Sequence, residues 1–300
     1  MEKIQRAIIL YNQDCSWEPD YVLKELLADV IPLARIFFLT SDQLVKYREQ
    51  HPHERRFLIF STTTVKVDQM KAMMQSFKPH VTFSMSDEFG DRPDFCDLAD
   101  FTRVFFHQHR FVHYNRKANM IQIPLGFKTG FVYPSDPKPS TEREFKWSFV
   151  GTLKKGSDRE EMLRIMSQFS SPYFVQTDGG VSTKTMGEIY SKSVFVPNCR
   201  GDVVLDCFRL YEAMFAGAIP VVVGKRQELR QTFLFNGPND FPPFLVANSW
   251  SQAAIRCTEL LQSDNEQTLL DLQQSNLAWI RSHVHQIRAA VREVCVDNDK

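Results

Sequence analysis

The sequence predicts an α/β protein built from two Rossmann-like domains that face each other across a cleft. Three observations carry this expectation. Short apolar runs alternate with helix-like segments as far as Ile123. A stretch with two prolines and no apolar residue, Ser135-Asp136-Pro137-Lys138-Pro139-Ser140, then interrupts the pattern. The same alternation restarts after it and continues into the last quarter of the chain. Alternation of this kind specifies a mostly parallel sheet with helices on its faces, and the interruption reads as a linker.

Taken in order, the first-half strands are expected at Ala7–Tyr11, Ala34–Leu39, Phe57–Phe60, His80–Phe83, Arg103–Phe106 and Met120–Ile123. Most are rich in β-branched or aromatic residues and end at a turn signal. Helices are expected between them at Tyr21–Val30, Ser41–Gln50 and Val67–Phe77. In the second half the strands are Lys146–Val150, Tyr173–Gln176, Val194–Pro197, Ile219–Val223 and Phe244–Val246. The helices are Asp158–Phe169, Thr183–Ser191, Asp206–Ala216, Ser251–Gln262 and Glu266–Val294. The expected division is 1–135, 141–275, and a last helix with its tail, 276–300. Ligands of open α/β sheets bind at the carboxyl ends of strands, and clefts between domains favour pockets.

Composition narrows the function classes. Lys+Arg and Asp+Glu both number 36, a formal net charge of zero, so a basic field for nucleic acid is not indicated. The 6 cysteines form no C-x-x-C pair and read as reduced thiols. The start has only a four-residue apolar run, too short for a signal-peptide core. No stretch approaches the roughly 20 apolar residues of a spanning helix. The expected protein is soluble and cytoplasmic, with no membrane span; the sequence leaves its oligomeric state open. Of its 25 phenylalanines, those on strand runs, such as Phe37-Phe38 and Phe105-Phe106, read as core.

Two motifs carry candidate chemistry in the second half. In Trp147-Ser148-Phe149-Val150-Gly151-Thr152-Leu153-Lys154-Lys155-Gly156-Ser157-Asp158-Arg159-Glu160, a buried strand ends at Gly151, and a helix starts near Asp158. Ser157 with Glu160 matches a capping box. The helix N-terminus attracts phosphate, and Lys154, Lys155 and Arg159 would add charge; the alternative is an ordinary capped surface helix. The second motif runs from Val196-Pro197-Asn198-Cys199-Arg200-Gly201-Asp202 through Asp206–Gly224, a strand, a turn, a helix ending at Gly217, and a very apolar strand. Arg209 and Glu212 share one helical face. A carboxylate there can grip both ribose hydroxyls of a nucleotide, while Arg209 and Arg200 neutralise its diphosphate. The alternative is a helix-surface ion pair worth about 0.3–0.5 kcal/mol.

The residues Arg200-Gly201, Arg209-Leu210-x-Glu212-Ala213 and Ala216-Gly217-x-Ile219-Pro220-Val221 resemble the signature of exostosin-like glycosyltransferases. Ser86-Asp87-Glu88, Ile123-Pro124-Leu125-Gly126-Phe127 with Gly130-Phe131, and Phe149-Val150-Gly151 are similar to the xylosyltransferase-type members, in the same order. The likeness covers residues 80 to 225. It implies a GT-B fold and an inverting glycosyltransferase that uses a UDP-sugar, xylose being the sugar suggested, with an oligosaccharide or glycoprotein as acceptor. It implies an acceptor-side first domain, a nucleotide-sugar-binding second domain, and a C-terminal helix that crosses back to the first. The donor diphosphate would rest against the loop from Gly151 and Thr152 through Lys154 and Lys155 to Arg159, with Arg200 and Arg209 near it and Glu212 on the ribose. The resembled enzymes are membrane-anchored; a chain without an anchor would suit a virus-encoded or microbial enzyme. Where the family has an aromatic pattern after the fifth strand, this chain has Phe106-His107-Gln108-His109-Arg110.

An inverting transfer needs one base for the acceptor hydroxyl. Asp87 or Glu88, after the fourth strand, can supply it; adjacent residues of extended backbone point oppositely, so one of them acts, Asp87 being preferred. A solvated acidic turn is the alternative. His107, His109 and His113 lack a completing acid or cysteine for a metal; His107 and His109 are read as acceptor-binding or plain cleft-edge residues. Asp297-Asn298-Asp299 reads as a polar terminus. No metal or other cofactor is expected. Two other classes are weighed: a dinucleotide-dependent oxidoreductase, which needs a G-x-G-x-x-G that neither half contains, and a non-catalytic nucleotide- or glycan-binding relic of the same fold.

Overall fold

The computed structural model describes residues 6–11, 19–30, 34–39, 41–63, 65–86, 89, 92–109, 116–153, 155–169, 171–201, 204–233 and 241–296. The chain forms two compact units, Met1–Pro124 with His283–Lys300, and Leu125–Ser282.

The first unit is a six-stranded sheet of order β2-β1-β3-β4-β5-β6, made of β1 (Arg6–Tyr11), β2 (Ala34–Leu39), β3 (Arg55–Ser61), β4 (Val81–Met85), β5 (Val104–His107) and β6 (Met120–Gln122). Each pairing is parallel. Strand β3 is buried throughout, as a central parallel strand with both faces covered must be. One face packs against α2 (Ser41–Gln50), α3 (Val67–Phe77) and a 3-10 segment, Pro93–Phe101. Met70, Met73, Met74 and Phe77 recur at helical spacing on α3 and bury together with Leu58, Phe60 and Phe105. The helix expected at Tyr21–Val30 is instead a short turn, α1 (Pro19–Tyr21), followed by a π-helical turn, Val22–Leu26. The N–H of Leu27 donates to the carbonyl of Val22 at 2.8 Å. This widened turn buries Tyr21, Val22, Leu26 and Leu27 together.

The second unit holds a five-stranded sheet of order β11-β10-β9-β7-β8: β7 (Phe145–Val150), β8 (Tyr173–Gln176), β9 (Ser193–Asn198), β10 (Ile219–Val223) and β11 (Leu245–Ala247). Its pairings are also parallel. The helices are α4 (Asp158–Phe169), α5 (Thr183–Ser191), α6 (Phe208–Phe215), α7 (Arg226–Phe233) and α8 (Trp250–Leu260). The last helix, α9 (Glu266–Val296), gives its first half to this unit and its second half to the first. Within the first unit Arg288 donates to the Glu25 carbonyl at 2.5 Å, and Arg292 pairs with Asp29.

The proline-rich stretch expected to join two domains is part of the second unit. The side chain of Gln273 accepts from the Ser140 N–H at 2.8 Å and donates to the carbonyls of Lys138 and Gly217, both at 2.9 Å. Upstream of it, Phe127, Phe131 and Tyr133 pack with Phe215 of α6, so the division falls at Leu125. Buried Arg143 donates to the carbonyls of Lys138, Tyr190, Ser193 and Ala216. It thereby places a positive group on carbonyls at the carboxyl ends of α5 and α6, the sign those helix ends favour.

Candidate active site

The second unit gathers its candidate residues at the carboxyl ends of β7 and β9. Helix α6 starts at Phe208, two residues later than its sequence suggests. Asn198 explains the delay: its Nδ2 donates to the Leu205 carbonyl at 2.9 Å, and its Oδ1 lies 2.7 Å from the Cys207 thiol, fixing the loop before the helix. Cys207 is the N-cap, with no side-chain cap, and no acid stands in the first turn.

Arg209 lies in that first turn. Its Nε donates to the Val150 carbonyl at 3.2 Å, and its guanidinium sits 4.7 Å from the Phe149 ring centre. Gly151 makes this possible, because a Cβ there would lie 2.5 Å from Arg209 Nη2. One turn on, Glu212 is 2% exposed. Its Oε1 accepts the Lys128 N–H at 3.2 Å, the single hydrogen bond to that carboxylate among the described residues. Burial pushes the Glu212 carboxyl up to about 7, against the opposing pull of the Lys128 N–H and of the Lys128 and Arg209 charges. Tyr190, fully buried on α5, brings its hydroxyl within reach of the Arg209 and Glu212 charges. Arg209 and Glu212 thus turn inward to separate partners and do not form the surface ion pair that spacing alone would allow.

The loop from Gly151 to α4 is tied to the same place. Arg159 donates to the Thr152 carbonyl at 2.6 Å and to the Arg200 carbonyl at 3.2 Å, and the Arg200 N–H donates to Asp158 at 3.0 Å. The Arg200 side chain turns elsewhere, into a two-pronged pair with Glu228 of α7, one prong at 2.7 Å. Lys155 is exposed, and Lys154 lies outside the described residues. Glu160 accepts from the Gly156 N–H at 2.8 Å, not from Ser157 as a standard capping box would have it. The first turn of α4 carries Asp158, Glu160 and Glu161. Of the two helix starts, α4 therefore carries three carboxylates in its first turn, while the first turn of α6 carries none and holds a cation, with buried Asp206 just before its N-cap.

Sequence reasoning passed over Lys128, Phe149, Tyr190 and Glu228. The segment containing Lys128 was visible as a motif, but a backbone N–H has no residue signature. Nor does the sequence show that a phenylalanine ring will lie under Arg209.

In the first unit, the expected base residues Asp87 and Glu88 lie outside the described residues, as do His113 and the Asp297–Asp299 tail. Ser86, just before them, has φ of 69°, and its N–H donates to Gln108 Oε1 at 2.9 Å. His107 closes β5, and His109 follows with φ of 55°. Burial, then the Arg116 charge, lowers His107 to about 4. Burial, then His107, lowers His109 to about 3. Both rings are neutral at pH 7. Among the described residues, no group of three or more His, Cys, Asp or Glu stands together as a metal site. No helix of the described residues is long and apolar enough to cross a membrane.

No protein-family model matches the chain. Ribitol-5-phosphate xylosyltransferase 1 of Danio rerio is 23% identical over 205 residues, which are 60% of this chain and 45% of that protein. The aligned part of the chain thus spans less than half the length of that curated relative. Among solved structures, Anabaena Alr3699/HepE in complex with UDP superposes with a TM-score of 0.58 at 10% identity, covering 97% of this chain and 99% of the other. The glycosyltransferase VinC in complex with dTDP superposes with a TM-score of 0.50 at 10% identity, covering 96% and 98%. The chain has the GT-B glycosyltransferase fold, as its sequence motifs imply.

Proposed function

We propose that the chain is a glycosyltransferase that takes its sugar from a nucleoside diphosphate donor held by the second unit. The observation that carries this is the start of α6. A helix end without a side-chain cap, and with no acid in its first turn although buried Asp206 stands just before the N-cap, has Arg209 in that turn and a buried carboxylate, Glu212, one turn further in. A diphosphate needs the first two features, and a ribose diol needs the third. In this reading Arg209 and the α6 N–H groups take the diphosphate, close to Gly151 and Thr152, and Glu212 takes the ribose hydroxyls. Arg159 holds the loop in shape, and Lys154 and Lys155 supply further charge. Arg200 joins the diphosphate only if it leaves Glu228.

UDP is the favoured carrier and xylose the favoured sugar. The distant likeness to a xylosyltransferase and a similar fold solved with UDP support both. Transfer with inversion would use Asp87 or Glu88 as base, with no metal: Arg209 and the helix end offset the charge of the departing nucleotide. The acceptor would be a glycan hydroxyl. The test is a panel of nucleotide sugars scored for slow release of nucleoside diphosphate without acceptor, followed by calorimetric titration of UDP. Glu212→Ala and Arg209→Ala are expected to weaken UDP binding at least tenfold. Full UDP affinity in both variants would refute the donor site.

A further inference from the structure

The carboxyl-end rung of the first unit's sheet is polar where the rung before it is apolar. Phe105 and Met120 are register partners on β5 and β6, and both belong to the core. Two residues on, His107 and Gln122 are register partners on the same face. They are 6% and 2% exposed.

Neither side chain has all its polar atoms paired among the described residues. His107 Nε2 and both amide atoms of Gln122 are buried and make no hydrogen bond among the described residues. The other imidazole nitrogen, Nδ1, lies 3.2 Å from the Gln108 carbonyl. A carbonyl can only accept, so Nδ1 carries the proton, and in the neutral ring Nε2 presents a bare lone pair. Side by side stand one acceptor on His107 and, on Gln122, one acceptor and two donors. Leaving each such group unpaired costs about 1–3 kcal/mol, which two apolar residues would avoid. The neighbouring backbone is strained as well, with Ser86 and His109 both at positive φ. All of this lies at the carboxyl ends of parallel strands, where open α/β sheets bind ligands.

We propose that His107 and Gln122 form a binding site for neutral hydroxyl groups of a carbohydrate or alditol. One hydroxyl gives its proton to His107 Nε2 and accepts from the Gln122 amide, whose oxygen takes the next hydroxyl along the polyol. An anion fits badly, because the Nε2 lone pair would face it; Arg116, whose charge reaches His107, is exposed. The inference deepens the glycosyltransferase reading, since on that reading this is where the first unit takes its acceptor; the physical site does not depend on it.

The experiment is long-range proton–nitrogen NMR on the full chain labelled with imidazole-15N histidine, His107 being assigned through His107→Gln. Ribitol, methyl α-D-glucopyranoside and inorganic phosphate are titrated in turn, and UDP binding is measured on the same samples. The expected result is a protonated Nδ1 and a bare Nε2 in the free protein, with Nε2 moving on addition of ribitol, the glucoside or both. Gln122→Met is expected to weaken that response about tenfold without lowering the melting temperature, since an apolar isostere replaces an unpaired amide. A protonated Nε2, no response to either polyol, or a response to phosphate alone would overturn the proposal. Polyol binding in a protein that ignores UDP would sink the donor reading and leave this site standing. UDP binding without a polyol response does the reverse.

Discussion

The carboxylate of Glu212 accepts the backbone N–H of Lys128 at 3.2 Å, although 84 positions separate the two residues. One buried acid is thereby fixed in orientation by a group that no substitution at residue 128 except proline removes. It also has its ionisation displaced toward neutrality by the burial that isolates it. Its consequences can be measured.

The first is a pH effect. Burial raises the Glu212 carboxyl from the ordinary carboxylate range to about 7. A group raised on folding stabilises the native state fully below its unfolded pKa, and that contribution is lost as pH climbs through the folded value. Stability should fall by on the order of 3 kcal/mol between pH 4.5 and pH 7.5, a span set by the two pKa values at about 1.4 kcal/mol per unit. Glu212→Gln should abolish that slope in urea melts. Affinity for a UDP-sugar, whose diphosphate does not titrate near neutrality, should move the opposite way. It should tighten as pH passes 7 in the native protein and stay flat in Glu212→Gln.

The second concerns Gly151. A methyl group there would meet Arg209 Nη2 at 2.5 Å and the Phe149 ring at 3.4 Å. The far end of the arginine can yield, so Gly151→Ala should cost less than about 1.5 kcal/mol of stability. Because the displaced group is the guanidinium itself, UDP affinity should drop at least tenfold. Calorimetry alongside thermal melts separates the two effects.

The third, Gly187→Ala, should behave in the opposite manner. Its Cβ would lie 1.9 Å from the Val132 carbonyl oxygen, a backbone atom that cannot swing aside. Helix α5 must then move off the 131–133 segment, and a loss of about 2–3 kcal/mol is expected. A melting temperature within a degree or so of the parent protein would contradict this packing.

The fourth prediction is that Arg143→Met unfolds the second unit more readily than any of these. Four carbonyls lose the guanidinium together, two of them at helix ends, and the Lys138 carbonyl keeps the Gln273 amide. Burial has already lowered the guanidinium to about 10, with no carboxylate partner among the described residues to oppose it. Urea denaturation should show a loss of at least about 3 kcal/mol. Arg143→Lys should recover only part of it, because one ammonium cannot span carbonyls arranged for a planar fork.

Most of the fold was written in local pattern. Apolar runs of strand length, separated by helical periodicity, placed the strands of both sheets, and Ser157 and Asp158 marked the start of α4. What escaped was weakly patterned. Helix α7 buries chiefly Leu229, Thr232 and Phe233, too few to stand out from a polar loop, and the turn at Val22–Leu26 widened to a π-helix to satisfy packing that no period of 3.6 reports.

The sequence by itself determined that two α/β units would form, and that Arg209 and Glu212 would share a helix following a strand–turn, because these follow from interactions between near neighbours in the chain. Only the tertiary structure decided where those side chains turned: Arg209 over Phe149 and against Val150, Glu212 toward Lys128, Arg200 away toward Glu228. It alone set His107 beside Gln122 at the end of one sheet face. Those choices rest on strand order and burial, which join residues far apart in sequence, and a local pattern carries no information about which distant backbone or ring will arrive there.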